Sequence, residues 1–221
     1  MKFYLDCASL ASIKKYNKMG LVDGVTTNPS LVSKEAGAFE DIITSICKEV
    51  NGPVSAEVVG IEHDAMVKEG VHLSKLAPNV VVKVPMTPEG LQATKTLNGM
   101  GIPVNVTLIF SANQGLLAAK AGASYLSPFI GRLDDIGERG MQVIEDLVTI
   151  KQNYKLRAEI LVASIRGPQH VLEAAKLGAG IATMPPDVME KMMHHPLTDI
   201  GLKKFLDDWN SAKKESATIS A

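Results

Sequence analysis

Residues 79–86, Asn-Val-Val-Val-Lys-Val-Pro-Met, are a valine run with a single charge, Lys83, at its centre. A short apolar run this rich in valine reads as a strand covered on both faces, as in a parallel sheet. An ammonium in such a strand has no water and must be paired or neutralised. Taken alone, the run fits an edge strand whose lysine guards against edge-to-edge association. The functional alternative is a lysine perturbed by burial into an amine nucleophile that condenses with a carbonyl. The flanking sequence has to decide between them.

Working upstream, Val54 to Val59 is a strand that follows the turn Asn51-Gly52-Pro53 and leads into a helix over Glu62 to Ala77. Before it lie a strand over Lys2 to Asp6, an amphipathic helix over Ser9 to Met19 that stops at Gly20, and a strand over Val22 to Thr27. Asn28-Pro29 and a Ser/Lys/Gly segment then lead to a helix over Phe39 to Val50.

Downstream, Thr87-Pro88-Glu89 caps a helix to about Asn98, with proline suited to its first turn. Strands follow over Ile102 to Phe110, Ala123 to Ile130, Ala158 to Ser164 and Ile181 to Met184. The helices between and after them span Ser111 to Lys120, Glu138 to Tyr154, Pro168 to Leu177 and Pro186 to Met193, with 131–137 read as a longer connection.

Eight βα units make an α/β chain that most economically closes into a (β/α)8 TIM barrel. An open doubly wound sheet is the alternative, disfavoured because no G-x-G-x-x-G follows a strand. Nothing marks a domain boundary, so residues 1–221 are expected to form a single domain. Residues 198–212 would add a C-terminal helix with Ile200, Leu202, Phe205, Leu206 and Trp209 roughly on one face, and Lys213 to Ala221 would fray.

The net charge of -1 supplies no global field, so an anion must be held by local donors and nucleic acid is not an expected partner. Cys7 and Cys47 are the only cysteines and have no metal-ligand spacing, which fits a reducing cytoplasm. The N-terminus reaches Asp6 without a signal-peptide core, and no apolar stretch is long enough to span a membrane. His63, His72, His170, His194 and His195 lack H-E-x-x-H spacing and read as structural or surface residues. Met184, Met189, Met192 and Met193 read as core filler.

In a barrel the chemistry gathers at the C-terminal strand ends. Seven consecutive ends here are polar: Asp6; Thr26, Thr27 and Asn28; Glu57; Lys83; Asn105 and Thr107; Ser127; Ser164 and Arg166. Residues two apart share a face, so Asn105 pairs with Thr107, Ser127 with Phe129 and Ser164 with Arg166. Each has a bland reading. Asp6 could cap the first helix, Asn28-Pro29 could be a turn, the serines could bond local backbone, and Arg132 and Arg166 could form surface ion pairs. Glu57 resists one, because a carboxylate in an apolar strand needs a partner and suits general acid/base work. An amine, carboxylates and two guanidinium groups facing one cavity point to Schiff-base chemistry on a phosphorylated keto-sugar.

These residues resemble the transaldolase family in its short form, which shares its fold with the fructose-6-phosphate aldolases. The likeness lies in Leu5-Asp6, Gly24-Val25-Thr26-Thr27-Asn28-Pro29-Ser30, Val80 to Met86, Asn105-Val106-Thr107, Ser127-Pro128-Phe129 through Gly131-Arg132, and Ala163-Ser164-Ile165-Arg166. It implies a (β/α)8 barrel in which Lys83 forms the Schiff base, Asp6 exchanges a proton with the substrate hydroxyl, and Glu57 and Thr107 position the water of imine formation and hydrolysis. Thr26, Asn28, Asn105, Ser127 and Phe129 would line the pocket of the dihydroxyacetone unit, and Arg132, Ser164 and Arg166 would grip the phosphate.

The implied reaction moves that unit from sedoheptulose 7-phosphate to glyceraldehyde 3-phosphate, in the pentose phosphate pathway, with no metal or organic cofactor. The resembling direct aldolases carry glutamine at position 57 and tyrosine at position 129, so Glu57 and Phe129 look like the transferase pattern. A lyase using the same lysine, and a non-catalytic sugar-phosphate binding barrel, are the competing readings. Cys7 and Gly167 depart from the family, which more usually has threonine and a larger polar residue there. Compact members assemble into rings, so a homo-oligomer, a pentamer or decamer, is expected.

Overall fold

The structure is a computed structural model that describes the backbone of residues 1–219 and the side chains of residues 1–212. Its elements run β1 (Lys2–Asp6), α1 (Leu10–Asn17), β2 (Gly24–Thr26), α2 (Pro29–Val32), α3 (Phe39–Glu49), β3 (Val54–Glu57), α4 (His63–Leu73), β4 (Val80–Pro85) and α5 (Pro88–Gly99). They continue with β5 (Val104–Ile109), α6 (Ala112–Ala121), β6 (Tyr125–Pro128), α7 (Ile130–Asp135), α8 (Gly140–Tyr154), β7 (Glu159–Val162), α9 (Pro168–Leu177), β8 (Ile181–Met184), α10 (Pro186–Met193) and α11 (Pro196–Ile219).

The eight strands close in sequence order, every pair parallel, with β8 returning to β1. This is the (β/α)8 barrel, and it disposes of both the open sheet and the edge-strand reading of Lys83. β4 has β3 on one side and β5 on the other, so it has no free edge to guard. Asn79 pins the start of β4, its Nδ2 donating to the carbonyls of Cys47, Val50 and Gly52 at 2.9–3.2 Å.

Alternation along the strands builds two interiors. Val80, Val82 and Val84 join a large cluster between sheet and helices with Ile43, Met66, Leu97, Ile109 and Ile144. Inside the barrel, Tyr4, Leu161, Ala163 and Ile181 pack with Tyr125 and Phe129. Gly24 is required there, because a Cβ would meet the Tyr4 ring at 2.6 Å.

Local chemistry places the helices. Thr87 Oγ1 accepts from Gly90 N at 2.9 Å and Ser111 Oγ from Gln114 N, which caps α5 and α6. Two segments read as connections contain helices. Pro29–Val32 is one turn, and Ile130–Asp135 forms α7 because Ile130 and Leu133 are buried beneath it. Apolar spacing over so few residues carries no detectable period.

α11 begins two residues before the expected start. Its stripe, Ile200, Leu202, Phe205, Leu206 and Trp209, is exposed. Over the tail expected to fray, Lys213 to Ala221, the α11 backbone instead continues as helix to Ile219, and Ser220 and Ala221 lie outside the described residues. Among the described residues, no helix is long and apolar enough to cross a membrane.

Candidate active site

At the C-terminal mouth lies a cavity of about 220 Å³ lined by Asp6, Thr26, Asn28, Lys83, Ser127, Phe129, Arg132, Ala163, Ser164, Arg166 and Thr183. Nine of the twelve expected site residues line it; Asp6 and Lys83 face it from strands on opposite sides of β2 and β3. Glu57, Asn105 and Thr107 are not on that wall. They sit beside Lys83 in register, with Glu57 and Asn105 as its direct neighbours across the sheet and Thr107 opposite Pro85.

Lys83 is 4% exposed. Its Nζ lies 2.9 Å from Glu57 Oε2 and donates to the Thr27 carbonyl at 3.1 Å. Both side chains are largely removed from water, so this pair is screened little and each partner depends on the other. The contact also gives the ammonium proton somewhere to go, since a carboxylate at this distance can accept it and leave a free amine.

Asp6 accepts from Thr26 Oγ1 at 2.8 Å. It does not cap the first helix, whose N-cap is Ser9. Burial raises its carboxyl above the ordinary value, opposed by the positive charge of Lys83 and by the Thr26 hydroxyl. Its neighbour Cys7 belongs to the core rather than to the cavity, and burial pushes that thiol up to about 12. The cysteine departure therefore places no reactive thiol in the pocket.

Asn105 is fully buried in a network across three strands, its Nδ2 donating to Ser55 Oγ at 3.1 Å and its Oδ1 accepting from Ser127 Oγ at 2.8 Å. Thr107 Oγ1 is buried and has no hydrogen-bond partner within the protein. A buried hydroxyl left in this condition is a place for water or substrate. The next residue, Leu108, has φ 59°, and the β5–β6 register shifts between Val106 and Ile109. Such an irregularity re-aims a strand end beside a site.

Asn28 caps α2, its Oδ1 accepting from Leu31 N at 2.9 Å. The same side chain lines the cavity. Asn28-Pro29 is therefore a cap and a cavity wall at once.

The rim is guanidinium-rich. The Arg132 guanidinium lies 5.1 Å from the centre of the Phe129 ring, which in turn meets Phe110 edge-on at 6.1 Å. Arg132 has no carboxylate partner among the described residues, whereas Arg166 is paired with Asp135 of α7. Ser164 holds φ 59°, and its carbonyl accepts from Gly131 N at 3.1 Å. Only glycine fits at 131, because a Cβ would lie 2.1 Å from that carbonyl oxygen.

His170 steadies the same loop. Its Nδ1 accepts from Arg166 N at 3.2 Å, and its Nε2 faces Asp134 at 3.1 Å. Gly167 has an extended backbone and open space around its Cα, so a larger residue would fit there.

Two side chains, Ser55 and Thr183, escaped the sequence reading, as did the backbone role of Thr27. The Thr27 carbonyl holds Lys83, Ser55 holds Asn105, and Thr183 lines the cavity. Ser55 shares a strand face with Glu57, and Thr183 is the polar residue of the eighth strand, so both were visible as inward-facing positions. Among the described residues no group of three His, Cys, Asp or Glu side chains is placed to hold a metal.

A parallel barrel with a buried lysine–carboxylate pair and a second carboxylate at its C-terminal mouth defines a barrel enzyme acting on a small polar substrate. The profile of the Transaldolase/Fructose-6-phosphate aldolase family matches residues 3–218, and the chain belongs to that family.

It is 59% identical over 220 residues to a protein named probable transaldolase from Nitrosopumilus maritimus, covering 99% of each chain. A probable transaldolase from Methanococcus maripaludis strain C5 is 58% identical, covering 96% of this chain and 98% of its own. Among solved structures, an N-acetylmannosamine-6-phosphate 2-epimerase from Clostridium perfringens matches with a TM-score of 0.60 at 14% identity, covering 93% of this chain and 92% of its own. That last likeness is one of fold.

Proposed function

We propose that this chain is a transaldolase, and that the observation carrying the reading is the buried Lys83–Glu57 pair beside a cavity that Asp6 also lines. Glu57 takes a proton from the Lys83 ammonium, and the amine adds to the ketone carbon of a ketose phosphate. The resulting carbinolamine loses its hydroxyl as water, with Glu57 returning the proton and Thr107 Oγ1 holding that water. Asp6 then removes the proton of the hydroxyl next to the scissile bond. The carbon–carbon pair flows into the protonated imine, an aldose phosphate leaves, and the three-carbon enamine stays on Lys83. An acceptor aldehyde reverses these steps, and water releases the product.

In this reading Asn28, Asn105 and Ser127 hold the hydroxyls of the dihydroxyacetone unit, and Arg132, Ser164 and Arg166 hold the phosphate. The donor is sedoheptulose 7-phosphate and the acceptor glyceraldehyde 3-phosphate, in the cytoplasmic pentose phosphate pathway. Phe129 favours transfer over release, because its ring offers no hydroxyl to protonate the enamine, and it is packed between Phe110 and Arg132. The exposed stripe of α11 fits docking on a neighbouring copy in a homo-oligomeric ring.

The test is to supply fructose 6-phosphate with and without erythrose 4-phosphate, following sedoheptulose 7-phosphate and free dihydroxyacetone. Transfer is expected to outrun release. Release as fast as transfer would make the chain a lyase, and neither product would leave only sugar-phosphate binding.

A further inference from the structure

Thr183 is buried in β8 yet reaches the cavity wall. Its Oγ1 lies 2.7 Å from Thr26 Oγ1, and Thr26 Oγ1 donates to Asp6 Oδ1 at 2.8 Å. β1 lies between β2 and β8, so the two threonines reach each other across it and brace strands that are not neighbours in the sheet. The direction of the chain follows from counting protons. A threonine hydroxyl carries one, and Thr26 gives its proton to the carboxylate. The proton between the two threonines therefore belongs to Thr183.

We propose that Thr183 is a positioning residue for Asp6: by donating to Thr26 it locks that hydroxyl toward the carboxylate and favours the ionised form that accepts the substrate proton. The inference rests on the reading of Asp6 as the proton acceptor. A donated bond polarises the next one in such a chain, so Thr26 is a stronger donor to Asp6 with Thr183 behind it than without. Left without Thr183, the Thr26 hydroxyl donates to Asp6 with no donor behind it.

The other groups around Asp6 are fixed in number. Lys83 faces it from β4, with Glu57 of β3 paired behind Lys83, and Cys7 follows it along β1. Arg132 and Arg166 stand at the rim of the same cavity. None of these changes when Thr183 does.

The experiment compares Thr183→Val, which keeps the shape and removes the hydroxyl, with Thr183→Ser, which keeps the hydroxyl. It measures kcat/KM against pH for transfer from fructose 6-phosphate, with borohydride trapping on Lys83 and the thermal midpoint recorded for each protein. The acid limb of Thr183→Val is expected to move up by about half to one pH unit, with kcat at neutral pH falling roughly fivefold, the scale of one neutral hydrogen bond. Thr183→Ser is expected to follow the wild type. If the valine variant does not fold, Thr183→Ala against Thr183→Ser reads the same difference.

An unmoved acid limb in a folded, trappable Thr183→Val overturns the inference, as does a serine variant that behaves like the valine one. Failure of the wild type to trap would overturn the Schiff-base reading beneath it, so the two failures are distinguishable.

Discussion

On the outer face of the strands, Val80, Val82, Val84, Val104 and Val106 belong to the large apolar cluster between sheet and helices. One residue away, the inner face of the same strands carries Lys83, Asn105 and Thr107, buried to the same degree. Of the fully buried polar residues, Thr26, Ser55, Lys83, Asn105, Thr107, Ser127 and Thr183 lie on inward positions. The outer face is redundant, since many contacts share the load and any one of them can be trimmed. The inner face is a set of individual bonds, each side chain but Thr107 with a named partner, where losing one leaves a buried polar group unmet. Outer-face changes should therefore cost stability and spare chemistry, whereas inner-face changes should cost chemistry far beyond any stability they lose.

The largest break is expected at Lys83→Met, which removes the amine within a similar shape. Transfer should fall by at least on the order of 10⁴-fold, the scale lost with a covalent nucleophile, while the protein still melts cooperatively. Asp6→Asn comes next, with a loss of about 10²–10⁴-fold in kcat, as for removal of a general base.

Arg132→Leu tests the rim. Arg132 has no carboxylate partner among the described residues, so its loss should fall on substrate phosphate and raise KM roughly 10- to 100-fold, with kcat nearly unchanged. Leu97→Ala sharpens the contrast from the outer side. Leu97 is fully buried in the core outside the sheet, so thermal or urea melts should show a loss of about 2–5 kcal/mol. Activity per folded molecule should hold. A large fall in kcat there, with folding intact, would mean that the two faces are coupled.

This division also explains what the sequence disclosed. Strand and helix order was legible because the outer face imposes valine-rich runs and helical stripes that repeat along the chain. The inner polar residues were legible wherever they ended a strand in a conspicuous motif, as Thr26-Thr27-Asn28-Pro29 and Lys83 do. Thr183 was passed over because a lone threonine between Ala182 and Met184 looks like strand filler until closure brings β8 beside β1.

The Lys83–Glu57 ion pair needed the register, since 26 positions separate the two residues in the chain and only the sheet sets them side by side. α7 and α2 were hidden for another reason, being too short to show a period. The split between Arg132 and Arg166 was likewise invisible, because it depends on Asp135 meeting one of them and not the other.

Covalent bonding of Lys83 to substrate is directly measurable. Wild-type protein is incubated with fructose 6-phosphate, reduced with borohydride and digested for mass spectrometry. A reduced three-carbon adduct is expected on the peptide containing Lys83, and none in Lys83→Met. Folded wild-type protein without an adduct, or with the adduct on another lysine, would contradict it.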